Sequence, residues 1–239
     1  MRNVPTMVQR ELGAYFLSPI AYAMNVVFLL SAGAVFALGS FQQGAEASLR
    51  GLLSSPILFI LLGVLSMLTM RLISEELRSG TIETLMTVPI TETDIVLGKF
   101  LGAVVFYLVL LGTMLLYPII MAFFGRVDFS LLICQYIGLI LIGGLYIAVG
   151  LFFSAWTRHQ LIAGLLSIVA LAVMTFAASL IAQYVEGWPR AVLQHLAIYS
   201  HFGDFVRGLI DVNHVVFFVT TTAFFLFLSV KALEMRRWR

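Results

Sequence analysis

Few residues of this chain could bind a metal ion or carry out acid–base chemistry. Imidazole and carboxylate groups bind zinc, and one stretch near the end of the chain holds three histidines and an aspartate, His195, His201, Asp204 and His214. Their spacing matches no zinc-ligand motif. The single cysteine of the sequence, Cys134, lies in an apolar run and predicts neither an intrachain disulfide nor a metal site. The histidines are therefore interpreted as interfacial residues, and no metal is predicted.

Signatures of nucleotide hydrolysis and of intramembrane proteolysis are missing from the sequence. Gly98 and Lys99 are followed by Phe100, and no glycine precedes Gly98 by five positions, as a phosphate-binding loop requires. The Gly-x-Ser-Gly turn of rhomboid-like proteases does not occur either. We therefore expect that the chain is not an enzyme by itself and that it binds no cofactor of its own.

A charged segment, residues 74–91, interrupts the apolar sequence and carries a series of helix stop and start signals. Gly80 can end a helical extension of the preceding apolar run. Pro89 forces Val88 out of helical geometry. Residues 91–94, Thr-Glu-Thr-Asp, form a capping box that opens the next helix.

Between these signals there is room for a short amphipathic helix. Ile82, Leu85 and Met86 share one face by their i, i+3, i+4 spacing. A helix this short is marginal in water, so its apolar face needs a protein groove, on this chain or on another.

A second amphipathic stretch lies at the beginning of the chain. Asn3 is a suitable helix cap, and Pro5 suits the first turn. The spacing places Gln9 and Arg10 on a polar face, whereas Glu11 interrupts the apolar one. The pattern predicts an interface helix over residues 3–18 that lies along the membrane surface.

The composition explains why a membrane is expected. The chain is 61% hydrophobic and 11% charged, whereas soluble domains carry about 25% charged residues. Six apolar runs are long enough to span a bilayer. They predict an all-α integral membrane protein whose residues 1–239 form a single transmembrane domain, with spans at about 20–41, 52–73, 100–124, 129–153, 161–185 and 215–232. The mixed segment 186–214 is too apolar for a free loop and is predicted to fold back as short re-entrant helices.

The charges also predict the orientation. With the N-terminus inside, ten of the 14 Lys and Arg residues fall in inner segments, which places both termini in the cytoplasm. No charged residue lies in the middle of a span, which disfavours an ion-coupled carrier. The deep polar residues, Asn25, Thr113, Gln135, Thr175 and Gln183, are predicted to make hydrogen bonds between helices. The net charge of +2 gives no reason to expect a nucleic-acid partner.

The sequence of residues 75–89 resembles the cytoplasmic signature of type-2 ATP-binding-cassette (ABC) exporter permeases. That resemblance implies six spans, a surface helix, a coupling helix and periplasmic re-entrant helices in the inner membrane. It also implies a second permease subunit, in a homodimer or heterodimer, and two copies of an ABC ATPase that bind ATP and Mg. The residues implied in ATPase coupling are Glu75, Glu76, Arg78, Gly80, Thr81, Ile82, Glu83, Leu85, Met86 and Pro89, with Gln9, Arg10 and Glu11 on the interface helix.

The stretches 202–211 and 232–238 resemble a narrower branch, which contains the gliding-motility permeases and the nitrous-oxide-reductase copper-maturation permeases. The substrate is not predicted by the sequence. Besides export, the chain could transmit the motion of the ATPase to a periplasmic or membrane accessory protein without moving a solute. A membrane enzyme or a scaffold is a third alternative.

Overall fold

The fold is helical throughout the part of the chain that the computed structural model describes, residues 4–40, 53, 55–81, 91–124, 128–181, 183–184 and 187–237. The helices are α1 (Val4–Phe16), α2 (Pro19–Ser40), α3 (Ser55–Thr69), α4 (Ser74–Ser79), α5 (Glu92–Met114), α6 (Leu116–Phe124), α7 (Phe129–Trp156), α8 (Gln160–Ala172), α9 (Ala178–Ile181), α10 (Trp188–Leu196), α11 (Ile198–Val206) and α12 (Val212–Arg237). A π-helical turn, Val173–Ala177, joins α8 to α9.

Six helical segments within the described ranges are long and apolar enough to cross a membrane, as the sequence predicts. They are Pro19–Leu38, Ser55–Ser79, Glu92–Phe123, Phe129–Trp156, Gln160–Ile181 and Val212–Met235. The protein is therefore a multi-pass membrane protein. We call the end of the bundle where α4 finishes and α5 begins the Glu76 end, and the opposite end the His214 end.

The helix of the third span begins at the capping box that the sequence predicts, before the apolar run 100–124, and it ends less regularly than that run indicates. Thr91 caps α5 because its side chain accepts a hydrogen bond from the backbone N–H of Asp94 at 3.2 Å, so the helix starts at Glu92. The far end is interrupted at Leu115, between α5 and α6. Pro118 lacks the N–H that would bond to the carbonyl of Met114, which accounts for this break.

The central helix of the bundle is α7, which packs against α3, α5, α8, α11 and α12. Its buried face includes Gly143, where the absence of a side chain admits the ring of Tyr107 from α5. The Tyr107 hydroxyl donates to the carbonyl oxygen of Leu139 at 2.7 Å. This bond satisfies a fully buried polar group in an apolar environment and fixes α5 against α7.

Three of the predicted interhelical hydrogen bonds are present. The Thr113 hydroxyl lies 3.0 Å from the Asn25 amide oxygen, and the Thr175 hydroxyl lies 2.7 Å from that of Tyr146. The Gln135 amide donates to the carbonyl oxygen of Val206 at 3.0 Å. Thr175 lies in the π-helical turn, an interruption that the apolar run 161–185 does not predict.

At the His214 end, the segment before the last span forms the two short helices α10 and α11. Phe202 and Phe205 of α11 are buried and pack against Gly138 of α7. The last span begins at Val212 rather than at 215, so His214 lies in its first turn instead of outside it.

Candidate functional site

At the Glu76 end, α1 approaches α5 more closely than two helices with ordinary side chains could. Gly98 and Gly102 of α5 face Met7 and Glu11, and a Cβ atom at Gly102 would lie 2.8 Å from the Cβ of Glu11. Farther along α1, the ring of Tyr15 stacks on Phe106 with centroids 5.0 Å apart. The two glycines therefore provide the groove in which α1 lies.

The close approach brings four charged side chains together, which we call the charge cluster: Arg10, Glu11, Glu76 and Lys99. Lys99 Nζ lies 2.9 Å from Glu11 Oε1 and 3.0 Å from Glu76 Oε1. Arg10 Nη2 lies 2.6 Å from the same Glu76 oxygen. Two cations and two anions thus join α1, α4 and α5.

Burial makes this pairing a structural requirement. The Lys99 side chain is 2% exposed, and those of Glu11 and Glu76 are 11% and 13% exposed. A buried charge is tolerated only when partners compensate for its lost hydration. The cluster therefore holds the three helices in one arrangement.

The sequence indicates the role of Glu11 only in part. Glu11 interrupts the predicted apolar face of α1, and the structure buries it with Met7 and Tyr15 on the face toward α5. Gln9 and Arg10 lie on the exposed side. Lys99 was not predicted as a site residue, although a lysine between the paired glycines Gly98 and Gly102 of an apolar helix is a signal that it needs a partner.

The predicted residues of segment 74–91 divide into two groups. Glu75, Arg78 and Thr81 are exposed, and Gly80 ends α4 in the left-handed conformation at φ 73°, as the stop signal predicts. The remaining predicted residues, Ile82, Glu83, Leu85, Met86 and Pro89, lie outside the described residues.

The extension of the second span that the sequence predicts is present as α4, but turns separate it from α3. Turns occupy residues 70–73, and Ser154 of α7 bridges them. The Ser154 hydroxyl accepts from the backbone N–H groups of Ile73 at 3.0 Å and Ser74 at 3.1 Å, and it donates to the carbonyl oxygen of Met70 at 3.2 Å. One buried serine therefore ties the beginning of α4 to the fourth span.

A cavity of about 310 Å³ opens beside the charge cluster. Its polar wall comes from α1, from α4 and from Lys99 of α5, with Arg71 in the turns between α3 and α4. Its apolar wall comes from the start of α2 and the end of α3.

At the His214 end, the four residues considered for a metal form a hydrogen-bonded chain. His201 Nε2 lies 2.9 Å from the carbonyl oxygen of His195, and its Nδ1 lies 2.7 Å from His214 Nδ1. His214 Nε2 lies 2.8 Å from Asp204 Oδ2. Within the described ranges, no group of three or more His, Cys, Asp or Glu side chains is arranged to hold a metal ion.

The heavy-atom geometry limits the roles of the ring nitrogens. Each Nε2 faces an oxygen acceptor and is placed to donate, and the contact between the two Nδ1 atoms needs one of them as donor. Burial lowers the pKa of His201. The neutral form of the His201 ring is therefore favoured.

Comparison with known families decides the class of membrane protein. A family model described as ABC-2 family transporter protein matches residues 15–191, nearly three quarters of the chain. The chain belongs to the ABC-2 transporter family. No curated protein sequence matches it.

Membership makes the chain the membrane component of an ABC transporter, an ABC-2 permease, and not an enzyme itself. It implies an ABC ATPase subunit as partner and the lipid bilayer as surroundings. The family match begins at residue 15, so the contribution of Arg10 and Glu11 to the charge cluster comes from the structure alone.

Proposed function

We propose that this ABC-2 permease is the membrane subunit of an inner-membrane exporter that uses ATP hydrolysis by a separate ATPase to move a substrate. The observation that supports this most strongly is the charge cluster. It joins the interface helix, the end of the second span and the start of the third span, on both sides of the segment that the sequence identifies as the coupling element. A permease needs such a junction where a partner pushes on it.

The contacts at the Glu76 end define a path for that force. Movement of segment 82–90 would act on α4 through Gly80 and on α5 through Glu92, because these residues flank it. The charge cluster would carry the movement from α4 to α1, and Ser154 would carry it to α7. Movement of this one segment would thus reach four helices, α1, α4, α5 and α7.

The partners in this proposal follow from the family resemblance. Two ABC ATPase copies bind ATP and Mg, and a second permease subunit completes the pathway. Both termini are cytoplasmic, so the Glu76 end meets the ATPases, and α10 and α11 form re-entrant helices at the periplasmic surface. A proposed place in the gliding-motility and copper-maturation branch rests on the stretches 202–211 and 232–238.

Reporter fusions test the orientation on which this assembly depends. A fusion after Asp128 should report a periplasmic location, and one after Arg239 a cytoplasmic location. If the two fusions report the same side, or the reverse sides, the Glu76 end does not face the ATPases as proposed.

Purification of the tagged chain from its native membranes tests the partnership itself. A subunit with a phosphate-binding loop should copurify in an equal number of copies, and the complex should hydrolyse ATP. Purification of the chain without any ATP-hydrolysing subunit would contradict the proposal.

A further inference from the structure

The cavity beside the charge cluster contains an unusual concentration of unsatisfied polar atoms. Among the described residues, five buried side-chain N or O atoms have no hydrogen-bond partner, and three of them belong to residues that line this cavity. These are the hydroxyl oxygen of Tyr15, Nε of Arg71 and Oε2 of Glu76. A buried polar atom without a partner is destabilising, so the cavity is built to receive one.

Two of the three atoms need a hydrogen-bond acceptor from an occupant, and the third needs a donor. The Tyr15 hydroxyl and the Arg71 guanidinium donate hydrogen bonds, and no ion pair of Arg71 is found in the part of the chain that the structure describes. They suit an anionic acceptor such as a phosphate. Glu76 Oε2 is an anionic acceptor, since its other oxygen already binds Arg10 and Lys99, and it suits a cationic N–H donor.

The position of the cavity indicates where the occupant comes from. Ile20, Ala21 and Met24 belong to the start of the first span, and Leu68 and Leu72 lie at the end of α3 and in the turns that follow it. The wall therefore changes from charged to apolar beside the start of the first span, where the headgroup region of the bilayer is expected. A volume of about 310 Å³ lies at the lower end of the range for small-ligand sites, about 300–1,000 Å³.

We propose that this cavity binds the headgroup of an ethanolamine phospholipid. Its phosphate accepts from Arg71 and Tyr15, its ammonium donates to Glu76, and its glycerol end lies against the apolar wall. The lipid would thereby stabilise the junction of α1, α3 and α4. This inference goes beyond the proposed function, because it requires no ATPase.

The chemistry also predicts which lipids bind less well. A choline headgroup has no N–H to donate to Glu76, and a glycerol headgroup has no cation. Free phosphoethanolamine has the same charged groups without the apolar part, so it separates a lipid site from a site for a soluble zwitterion.

Native mass spectrometry and thermal unfolding of the full chain in detergent test the proposal. Added phosphatidylethanolamine should be retained and should raise the melting temperature. Its affinity should be about tenfold higher than that of phosphatidylcholine or phosphatidylglycerol, since each of these two lipids lacks one charged contact. Equal retention of all three lipids would overturn the proposal. Protection by free phosphoethanolamine with no effect of the lipid would show that the ligand comes from the cytosol and that the lipid assignment is wrong.

Two variants connect the effect to the cavity. Tyr15→Phe keeps the ring stacked on Phe106 and removes only the hydroxyl, and Arg71→Gln removes the cation. Each should reduce phosphatidylethanolamine retention about tenfold. The control Arg158→Gln changes an exposed arginine that does not line the cavity, and it should retain the lipid normally.

Thermal unfolding of the variants without lipid shows whether they are folded. If folded Tyr15→Phe and Arg71→Gln bind phosphatidylethanolamine as wild type does, this cavity is not the lipid site, and the proposal is wrong.

Discussion

Lys99 is held between two carboxylates, and its own side chain is only 2% exposed. The Lys99→Met variant keeps a side chain of similar length and leaves Glu11 and Glu76 with one cation fewer. Breaking a buried ion pair from one side destabilises proteins by about 3–5 kcal/mol. We expect a loss of this size in the free energy of unfolding, measured by denaturant titration in detergent.

An exposed lysine provides the matched control. Lys231 pairs with Glu234 at 2.6 Å but is 49% exposed, and exposed pairs contribute at most about 1 kcal/mol. Lys231→Met should therefore have little effect. Equal losses in the two variants would show that the charge cluster is no more than a surface ion pair.

His201 makes the stability of the His214 end depend on pH. Because its pKa in the folded protein is lowered, the folded state resists the proton that the unfolded chain accepts below the ordinary histidine pKa of about 6.5. The stabilisation is present above that value and is lost as the pH falls.

The His201→Phe variant separates this effect from other titrations. His201 stacks on Phe217 with ring centroids 4.1 Å apart, and phenylalanine can keep that stacking without titrating. Between about pH 7.5 and pH 5.5, wild type should lose more thermal stability than the variant. Parallel pH dependence in the two proteins would contradict the neutral assignment of His201.

At the scale of single residues, the sequence identifies the polar groups but not their partners. Glu11 is visible as an anomaly on the apolar face of α1, and Lys99 as a charge in an apolar helix. Their pairing across 88 positions of sequence depends on the approach of α1 to α5, which no local pattern contains. The contacts of His214 with His201 and Asp204 likewise depend on how α11 packs against α12.

At the scale of elements, the break between α3 and α4 depends on one hydroxyl. Ser154→Ala leaves the buried N–H groups of Ile73 and Ser74 without this acceptor. We expect a loss of roughly 1–3 kcal/mol in the free energy of unfolding, together with faster hydrogen exchange of these two amides.

Ser167→Ala is the control for this change. Ser167 is also fully buried, but its hydroxyl donates only to the carbonyl of Ala163 within its own helix. Its removal should leave exchange at Ile73 and Ser74 unchanged. If Ser154→Ala behaves like Ser167→Ala, the serine does not hold the two spans together.

Helix boundaries marked by local chemistry are predictable from the sequence, whereas interruptions made by tertiary contacts are not. Thr91 and Gly80 act within one turn of their own positions, and the structure has both signals where the sequence places them. The turns at 70–73 are held by hydrogen bonds to Ser154, which is more than 80 residues away in the sequence. The π-helical turn at Val173–Ala177 likewise has no signal in an apolar run.

At the scale of the whole molecule, hydrophobic length alone predicts six spans, because each must cover the thickness of the bilayer. The structure confirms six helices of this kind in the described ranges. Assembly follows different rules, since the apolar residues exposed on α2, α8 and α12 can face either lipid or another subunit. The substrate and the number of subunits are therefore not predictable from the apolar pattern.

If segment 74–91 couples this permease to a separate ATPase, two aspartate substitutions on opposite sides of its predicted helix should have unequal effects. The sequence places Leu85 on the apolar face of the coupling helix, whereas Thr84 falls on the opposite side at 100° per residue. Burial of each such apolar side chain contributes about 1.5–3 kcal/mol, and a charge in the groove would be unpaired. The measurement is ATPase copurification and ATP hydrolysis of the complex, for membrane-inserted Leu85→Asp and Thr84→Asp side by side. Leu85→Asp should lose assembly or hydrolysis, whereas Thr84→Asp should keep both. Wild-type assembly and hydrolysis in Leu85→Asp would show that this segment is not the coupling element.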